Sequence, residues 1–340
     1  MSPLVIIFLT VFIDLLGFGI VIPLLPFYAG HFGASALAVG LLSTSFSVAQ
    51  FVFAPFWGRL SDRIGRRPVI LMGLAGSAAS YALFAVAESL TMLVVARIMS
   101  GIAGANIPTA QAFIADVTPP DQRARGMGVL GAAFGLGFAL GPAVGGFMSR
   151  WGYSAPGWFA AALSLAAFAL ALAVLPETLP PEARGTSRRP SRLESFRMAL
   201  ARPQLPLVLA VYFLVLAAFS SFESMFALYG EYRFGLTAAS VGYVFTLVGV
   251  VLATIQGLLV GRVVRRTGER RLVPVAIVVL ACGLALIPVS GSVPVLTLAC
   301  LVIACGMGFH NPSILSVISQ LADPRAQGGA LGVSQALGSL

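Results

Sequence analysis

The sequence alternates between long apolar runs and short, arginine-rich turns. A hydrocarbon core about 30 Å thick takes roughly 20 apolar residues per helix. Ten runs reach that length, and an eleventh begins near Gly329. Hydrophobic residues make up 58% of the chain and charged residues 10%, whereas soluble domains carry about 25% charge. We therefore predict an all-α integral membrane protein with spans at about 4–28, 38–57, 68–87, 90–116, 126–149, 155–175, 205–229, 238–261, 272–290 and 294–320.

A charged turn occurs twice in the chain. The first copy runs from Gly58 to Pro68 (Gly-Arg-Leu-Ser-Asp-Arg-Ile-Gly-Arg-Arg-Pro), and a less regular copy begins at Gly261, 203 residues later. By that offset Leu340 corresponds to Gly137, in the middle of the fifth run. We therefore predict duplicated six-helix bundles of which the last one to two spans are missing, and we expect the chain to be a fragment.

The stretch 176–204 is rich in Pro, Arg and Ser and interrupts the series of short loops. This composition is typical of a flexible linker. The predicted organisation is a six-helix bundle over 1–175, a linker over 176–204, and an incomplete second bundle over 205–340.

The arginines are distributed unevenly among the loops. Eighteen of the 21 lie in loops after even-numbered runs, whereas Arg150 and Arg233 alone follow odd-numbered runs and Arg97 lies inside a run. Loops with excess positive charge stay in the cytoplasm. The N-terminus and the 176–204 linker are thus predicted to be cytoplasmic, in a multi-pass protein of the cell (inner) membrane.

Several classes of function are disfavoured by the same residues. A net charge of +9 would suggest nucleic acid as a partner of a soluble protein, but here the arginines occupy alternate loops. There is no phosphate-binding G-x-x-x-x-G-K-[ST] loop. The chain has two histidines, and its cysteines lie within apolar runs without metal-site spacing. We expect no nucleic acid, enzyme activity, cofactor or metal; the cysteines are Cys282, Cys300 and Cys305.

Five segments resemble motifs of one transporter family. Residues 58–68 resemble the signature loop G-x-L-x-D-R-x-G-R-[RK] of the major facilitator superfamily, and 93–101 its fourth-span arginine motif, with Ser in place of Gln at 100. Residues 137–146 are similar to the fifth-span pattern G-x-x-x-G-P-x-x-G-G of its antiporters. Residues 14–26 resemble the first span of twelve-span drug:proton antiporters, and 114–125 are similar to the tetracycline efflux branch.

The resemblance implies a secondary active transporter that works by alternating access. Protons moving inward would drive export of a small lipophilic drug or related compound, and the protein would be a monomer whose partners are this substrate, protons and membrane lipid. Tetracycline pumps carry an Asp in the third span where this chain has Ser80, so the resemblance does not extend to tetracycline itself. The alternative is a symporter or facilitator of the same fold for a sugar or other metabolite.

Three charged residues inside the runs are candidates for proton coupling. Asp14 lies about ten residues into its run, which places it roughly 15 Å along the helix. Inserting a charged carboxylate at that depth costs about 2.5–3.5 kcal/mol of free energy. Arg97 needs a partner, for which Asp14 is the leading candidate, although a static ion pair would serve to orient two helices. Glu223 lies among aromatic residues in the seventh run, where it suits a lipophilic cation, a proton or an extracellular gate.

Polar and aromatic side chains in the runs are candidates for the substrate cavity, although each polar one could instead bond neighbouring helices. Asn106-x-Pro108 and Asn311-Pro312 occupy similar repeat positions, where interrupted helices often mark a binding site. The cavity candidates are Gln50, Asn106, Gln111, Phe222, Phe226, Gln256 and Asn311.

The first charged turn is predicted to form a cytoplasmic conformational lock. Asp62 can cap a helix, and Arg63 or Arg66 can reach Asp116, in pairs that hold one conformation and break in the other. The second copy has Arg265 at the position of Asp62, so the lock should be one-sided. Its residues are Gly58, Asp62, Arg63, Gly65, Arg66, Arg67 and Asp116.

The antiporter-like motif of the fifth run contributes small faces at which helices approach closely. Pro142 would kink that helix. Packing alone would account for the motif without any role in transport. Its residues are Gly137, Gly141, Pro142, Gly145 and Gly146.

Overall fold

The computed structural model of the protein describes residues 3–105, 107–118, 123–184, 203–321, 333–334 and 336–338. Within these residues all regular structure is helical, which confirms the predicted all-α class. The α-helices are α1 (Pro3–Val21), α2 (Leu25–His31), α3 (Ala36–Ile64), α4 (Arg66–Ala85), α5 (Leu90–Gly104), α6 (Ile107–Val117), α7 (Arg123–Met148), α8 (Ser154–Val174), α9 (Leu205–Phe234), α10 (Ala238–Thr254), α11 (Val260–Thr267), α12 (Glu269–Val289) and α13 (Val293–Leu321).

Nine helical segments in the described ranges are long and apolar enough to cross a membrane by length and composition. They correspond to nine of the ten predicted spans. The remaining one, 126–149, falls, except for its last residue, within α7, a helix of 26 residues. The eleventh, from Gly329, lies mostly outside the described residues.

Two of the predicted spans are interrupted near prolines, whereas other prolines lie inside continuous helices. A 3₁₀ turn, Ile22–Leu24, separates α1 from α2 and contains Pro23, since proline lacks the N–H that would continue the α-helical bonding. The fourth span is divided between α5 and α6. In contrast, α13 continues through Pro312, so of the two expected interruptions only the one near Asn106 breaks its helix, and Asn106 itself lies outside the described residues.

The chain forms two compact units, the first of which comprises Met1–Ser187 together with Ser224–Thr246. In this unit α1 packs against α7 and α8, α4 packs against α5 and α8, and α3 packs against α5. Its core is aliphatic and aromatic, with side chains such as Ile7, Leu74 and Phe113 almost fully buried. The helix that carries Asp14 is therefore held on several sides.

The second unit comprises Arg188–Glu223 together with Leu247–Leu340. Its principal contact is between α12 and α13. These helices can approach closely because Gly306 has no side chain; a Cβ atom there would lie 2.6 Å from the backbone nitrogen of Leu280. A π-helical segment, Ile255–Leu259, joins α10 to α11. The predicted domain boundaries remain a prediction, since residues 185–202 of the linker lie outside the described part of the chain.

Candidate functional site

A stripe of glycines on α7 brings the backbone of that helix against α1. A Cβ atom at Gly141 would lie 2.6 Å from Cα of Gly19, and one at Gly137 would lie 2.9 Å from Cβ of Leu15. At Gly145 it would meet the carbonyl oxygen of Ile20. Any side chain at these positions would push α7 away from α1, so the stripe positions the segment of α1 that follows Asp14.

A second face of α7 packs against the first turns of α10. A Cβ atom at Gly242 would lie 2.5 Å from the carbonyl oxygen of Pro142 and 2.9 Å from Cα of Gly146. Nearby, the Arg150 guanidinium donates a 2.7 Å hydrogen bond to the hydroxyl of Tyr243. The residues of the antiporter-like motif therefore serve close packing on two sides of one helix.

Asp14 lies in a buried polar cluster between α1 and α4. Its carboxylate faces the hydroxyl of Ser77, which is 2% exposed. Its Oδ1 atom is inaccessible to solvent and accepts no hydrogen bond from the described residues. The hydroxyl of Tyr81, on the next turn of α4, is near enough to feel the charge of Asp14. One carboxylate oxygen is thus left with unused bonding capacity away from solvent.

Arg97 does not pair with Asp14, which corrects the expectation from the sequence. Asp14 forms no ion pair in the ranges that the structure covers. The Arg97 guanidinium instead lies over the Phe46 ring, 4.4 Å from its centroid, and 5.7 Å from that of Phe18. These rings stabilise a buried cation through their negative faces. The Tyr81 side chain interacts electrostatically with both Asp14 and Arg97, so it couples the two charged groups.

Ser80 and Ser100 belong to the same neighbourhood. Ser80, at the position of the tetracycline pumps' Asp, donates a 2.8 Å hydrogen bond to the carbonyl oxygen of Ser77. Ser100, which replaces Gln in the arginine motif, is 5% exposed and lies near the Tyr81 hydroxyl. Both departures from the family patterns therefore put small, buried hydroxyl groups on α4 and α5.

The cavity candidates lie in different environments. Gln50 donates a long 3.4 Å hydrogen bond to the carbonyl oxygen of Gly104. This bond joins two helices, which was the predicted alternative to a role in the substrate cavity. The Oδ1 atom of Asn311 is buried and without a hydrogen-bond partner in the described part of the chain. Gln111 is half-buried on α6, and Gln256 is half-buried in the π-helical segment.

The aromatic candidates belong to α9. Phe222 and Phe226 are buried, and the Phe226 ring lies 5.2 Å from the Phe245 ring, centroid to centroid. Glu223, between them in sequence, is half-buried. The structure thus keeps the seventh-span carboxylate and its aromatic neighbours on one long helix, α9.

The first charged turn is organised around Arg66, which is only 4% exposed. Its Nη1 atom lies 2.6 Å from Asp62 Oδ1, and its Nε atom lies 3.2 Å from Asp116 Oδ2. Arg66 is therefore the arginine that reaches Asp116, whereas Arg63 is exposed. The turn passes through Gly65 at φ 110°, a conformation that favours glycine.

The sequence interpretation missed Glu177, which caps α4 from the end of the sixth span. Its carboxylate accepts hydrogen bonds from the backbone nitrogens of Arg66 (2.9 Å) and Arg67 (3.3 Å), and from those of Thr178 and Leu179. Asp62 was expected as a cap but is engaged by the Arg66 side chain. The signal available in the sequence was an acidic residue between Pro176 and Pro180.

Replacing Glu177 by glutamine should destabilise the lock. The change removes the charge that complements the α4 N-terminus and one of two acceptor oxygens, so we expect the free energy of unfolding to fall by about 1–2 kcal/mol. Thermal or denaturant unfolding of the purified protein measures this. The matched control is Glu182→Gln, at an exposed residue, which should change stability by less than about 0.5 kcal/mol. Equal effects of the two variants would contradict the capping role.

Possible metal ligands do not cluster in this site. No group of three or more His, Cys, Asp or Glu side chains within the described ranges is arranged to hold a metal ion.

Comparison with known proteins agrees with these features. The model of the Major Facilitator Superfamily matches residues 7–340. The tetracycline resistance protein, class E, of Escherichia coli is 35% identical over 96% of this chain and 82% of its own length. Multidrug resistance protein 2 of Bacillus subtilis (strain 168) is 29% identical over 97% and 83%. The crystal structure of the human organic anion transporter MFSD10 (TETRAN) superposes with a TM-score of 0.76 at 31% identity, over 99% of this chain and 90% of that one.

Proposed function

The chain belongs to the Major Facilitator Superfamily, and we propose that this multi-pass membrane transporter exports a small lipophilic compound in exchange for protons. Relatives named for tetracycline and multidrug resistance support an efflux role. Family members act on small-molecule substrates and are transporters rather than enzymes. In this proposal the protein works as a monomer in the cell (inner) membrane, with its N-terminus and the 176–204 linker on the cytoplasmic side.

The observation that carries the proposal is the buried carboxylate of Asp14. Its Oδ1 atom has no hydrogen-bond partner in the described residues, and the group lies inside a membrane-spanning helix. A charged carboxylate at that depth is costly, and protonation removes the charge. The charged and protonated forms of this carboxylate differ strongly in free energy within the membrane. Such a group suits a cycle in which a proton is bound from one side and released to the other.

The available driving force is sufficient for export. A proton crossing the membrane yields about 2.3 kcal/mol per 100 mV, and about 1.36 kcal/mol per pH unit. One proton per cycle can therefore maintain a concentration gradient on the order of 10²–10³. No hydrolysis of a nucleotide is needed.

Other residues receive roles consistent with this cycle. Arg97 holds a fixed positive charge near Tyr81, and its approach to Asp14 in another conformation would expel the proton. Glu223 is proposed as a second carboxylate for a proton or a cationic substrate. The Arg66 ion pairs would open and close during alternating access. The remaining cavity candidates, Gln111, Phe222, Phe226, Gln256 and Asn311, would contact the substrate.

A second candidate is the transport of organic anions. Two observations favour it: the buried guanidinium of Arg97 over Phe46 and Phe18, and the similarity to a human organic anion transporter. An anion with an aromatic or aliphatic body would suit such a positively charged, ring-lined surface.

Inverted membrane vesicles that contain the protein test the two candidates directly. After the lumen is acidified, a pH-sensitive dye reports whether added compounds release protons, and the panel contains lipophilic cations, neutral antibiotics and organic anions. We expect release with lipophilic cations or neutral compounds. Release with organic anions alone would favour the second candidate. If no compound causes release from vesicles with inserted, folded protein, proton-coupled export is wrong and a metabolite carrier becomes the better hypothesis.

A further inference from the structure

The second charged turn, Gly261–Arg271, keeps the backbone of the first turn but lacks its ion pairs. Gly268 has φ 74°, in the same left-handed range as Gly65 at φ 110°. None of the turn's five arginines forms an ion pair within the described part of the chain. The turn's lone carboxylate, Glu269, instead accepts a 3.1 Å hydrogen bond from Ser316. Within the described residues, most of the positive charge of this turn therefore has no carboxylate partner.

The arginines of α11 occupy one face of that helix. Residues three and four positions apart share a face, and this spacing groups the arginines on one side and the valines on the other. The valine face is half-buried, and α11 packs against α12 and α13. The arginine face is exposed. The exposed face carries Arg262, Arg265 and Arg266, and the opposite face carries Val260, Val263 and Val264.

Exposed aliphatic side chains lie next to these arginines, one turn deeper in the spans. Leu258, whose carbonyl oxygen accepts a 2.8 Å bond from Arg262, is 61% exposed. Val275 lies one turn after Arg271 on α12 and is 58% exposed. Both belong to candidate membrane spans, Ala238–Thr267 and Glu269–Val289. Each span thus has an aliphatic surface that ends in arginine.

We propose that this surface binds an anionic phospholipid. The arginines, above all Arg265 and Arg266, hold the headgroup phosphate, to which a guanidinium can donate two parallel hydrogen bonds. The acyl chain lies along Leu258 or Val275. Because the aliphatic surface of each span ends at the arginines, one lipid molecule can contact both, which a soluble anion cannot do. The first turn differs, because its Arg66 is buried between Asp62 and Asp116 and is not available to a headgroup.

The test measures lipid binding by native mass spectrometry on the full chain in detergent. Phosphatidylglycerol is titrated in parallel with phosphatidylcholine of identical acyl chains. We expect phosphatidylglycerol to bind preferentially and Arg265→Gln/Arg266→Gln to weaken its binding about 25-fold, at about fivefold per arginine. The matched control is Arg59→Gln/Arg233→Gln, which removes the same charge from two other exposed arginines and should leave binding unchanged.

Three outcomes would overturn the proposal. If Arg265→Gln/Arg266→Gln binds phosphatidylglycerol as tightly as the unaltered protein, the arginines serve only to orient the protein in the membrane. If millimolar inorganic phosphate displaces the lipid completely, the site takes a soluble anion. Should the glutamine variant fail to fold, hydrogen exchange on the unaltered protein decides: residues 258–271 should be protected in phosphatidylglycerol nanodiscs relative to phosphatidylcholine, and equal exchange would refute the site.

Discussion

Asp14→Asn is expected to reduce substrate-driven proton release from inverted vesicles to the level of vesicles without the protein. Asparagine has nearly the shape of aspartate but cannot bind and release a proton, so the cycle loses its carrier. The position within the Ser77–Tyr81 cluster should accept the amide without loss of folding, because an uncharged group is less costly there than a carboxylate. The pH-dye assay, with insertion checked by size-exclusion chromatography, measures this outcome.

The matched control for this experiment is Asp14→Glu, which keeps a titratable group on the same helix. It should retain part of the proton release, because only the position of the carboxylate changes. If Asp14→Asn still releases protons like the unaltered protein, Asp14 is not on the proton path. Glu223 then becomes the leading carboxylate, and Glu223→Gln is the variant that should abolish release.

Gly141→Ala is expected to lower the free energy of unfolding by about 1–3 kcal/mol. The new methyl group would lie 2.6 Å from Cα of Gly19, a backbone atom that cannot move without shifting α1. The same shift would displace Asp14, so transport should fall together with stability. Thermal unfolding in detergent and the vesicle assay on the same preparation measure the two effects.

Gly135→Ala is the control on the same helix for the glycine experiment. A Cβ atom at Gly135 meets nothing within 4 Å, and alanine favours helix over glycine by about 1 kcal/mol. This variant should therefore be neutral or slightly more stable. Equal stability of Gly141→Ala and Gly135→Ala would show that α1 and α7 are not in the close contact described above.

The lock shows how far reasoning from residues alone extends. Arg63 or Arg66 was predicted to reach Asp116, because the charged turn and the end of the fourth span were expected on the same side of the membrane, and the structure selects Arg66. Glu177 was not predicted, because it is more than 100 residues from the nitrogens that it caps. Hydrogen bonds between residues so distant in sequence depend on how helices pack, which no local pattern encodes.

The buried charges of the first unit illustrate the same limit. Arg97 was recognised as needing stabilisation, since it is the only basic residue within an apolar run. Asp14 was predicted as its partner because a buried positive charge is commonly stabilised by a negative one. The structure shows the faces of Phe46 and Phe18 instead, and the rotation of α5 relative to α1 and α3 decides between these partners.

Hydrophobic length, arginine distribution and local motifs are properties of consecutive residues, and from them the membrane class, nine of the spans and the family could be predicted. Which faces meet became visible only in the packed helices: the glycines of α7 lie against α1, Arg97 against aromatic rings, and Glu177 against the start of α4. The tertiary structure also showed that, among the described residues, the arginines of the second charged turn form no ion pair whereas Arg66 of the first is paired. The physical reason is that burial and pairing depend on distances between helices, which are fixed only when all of them pack together.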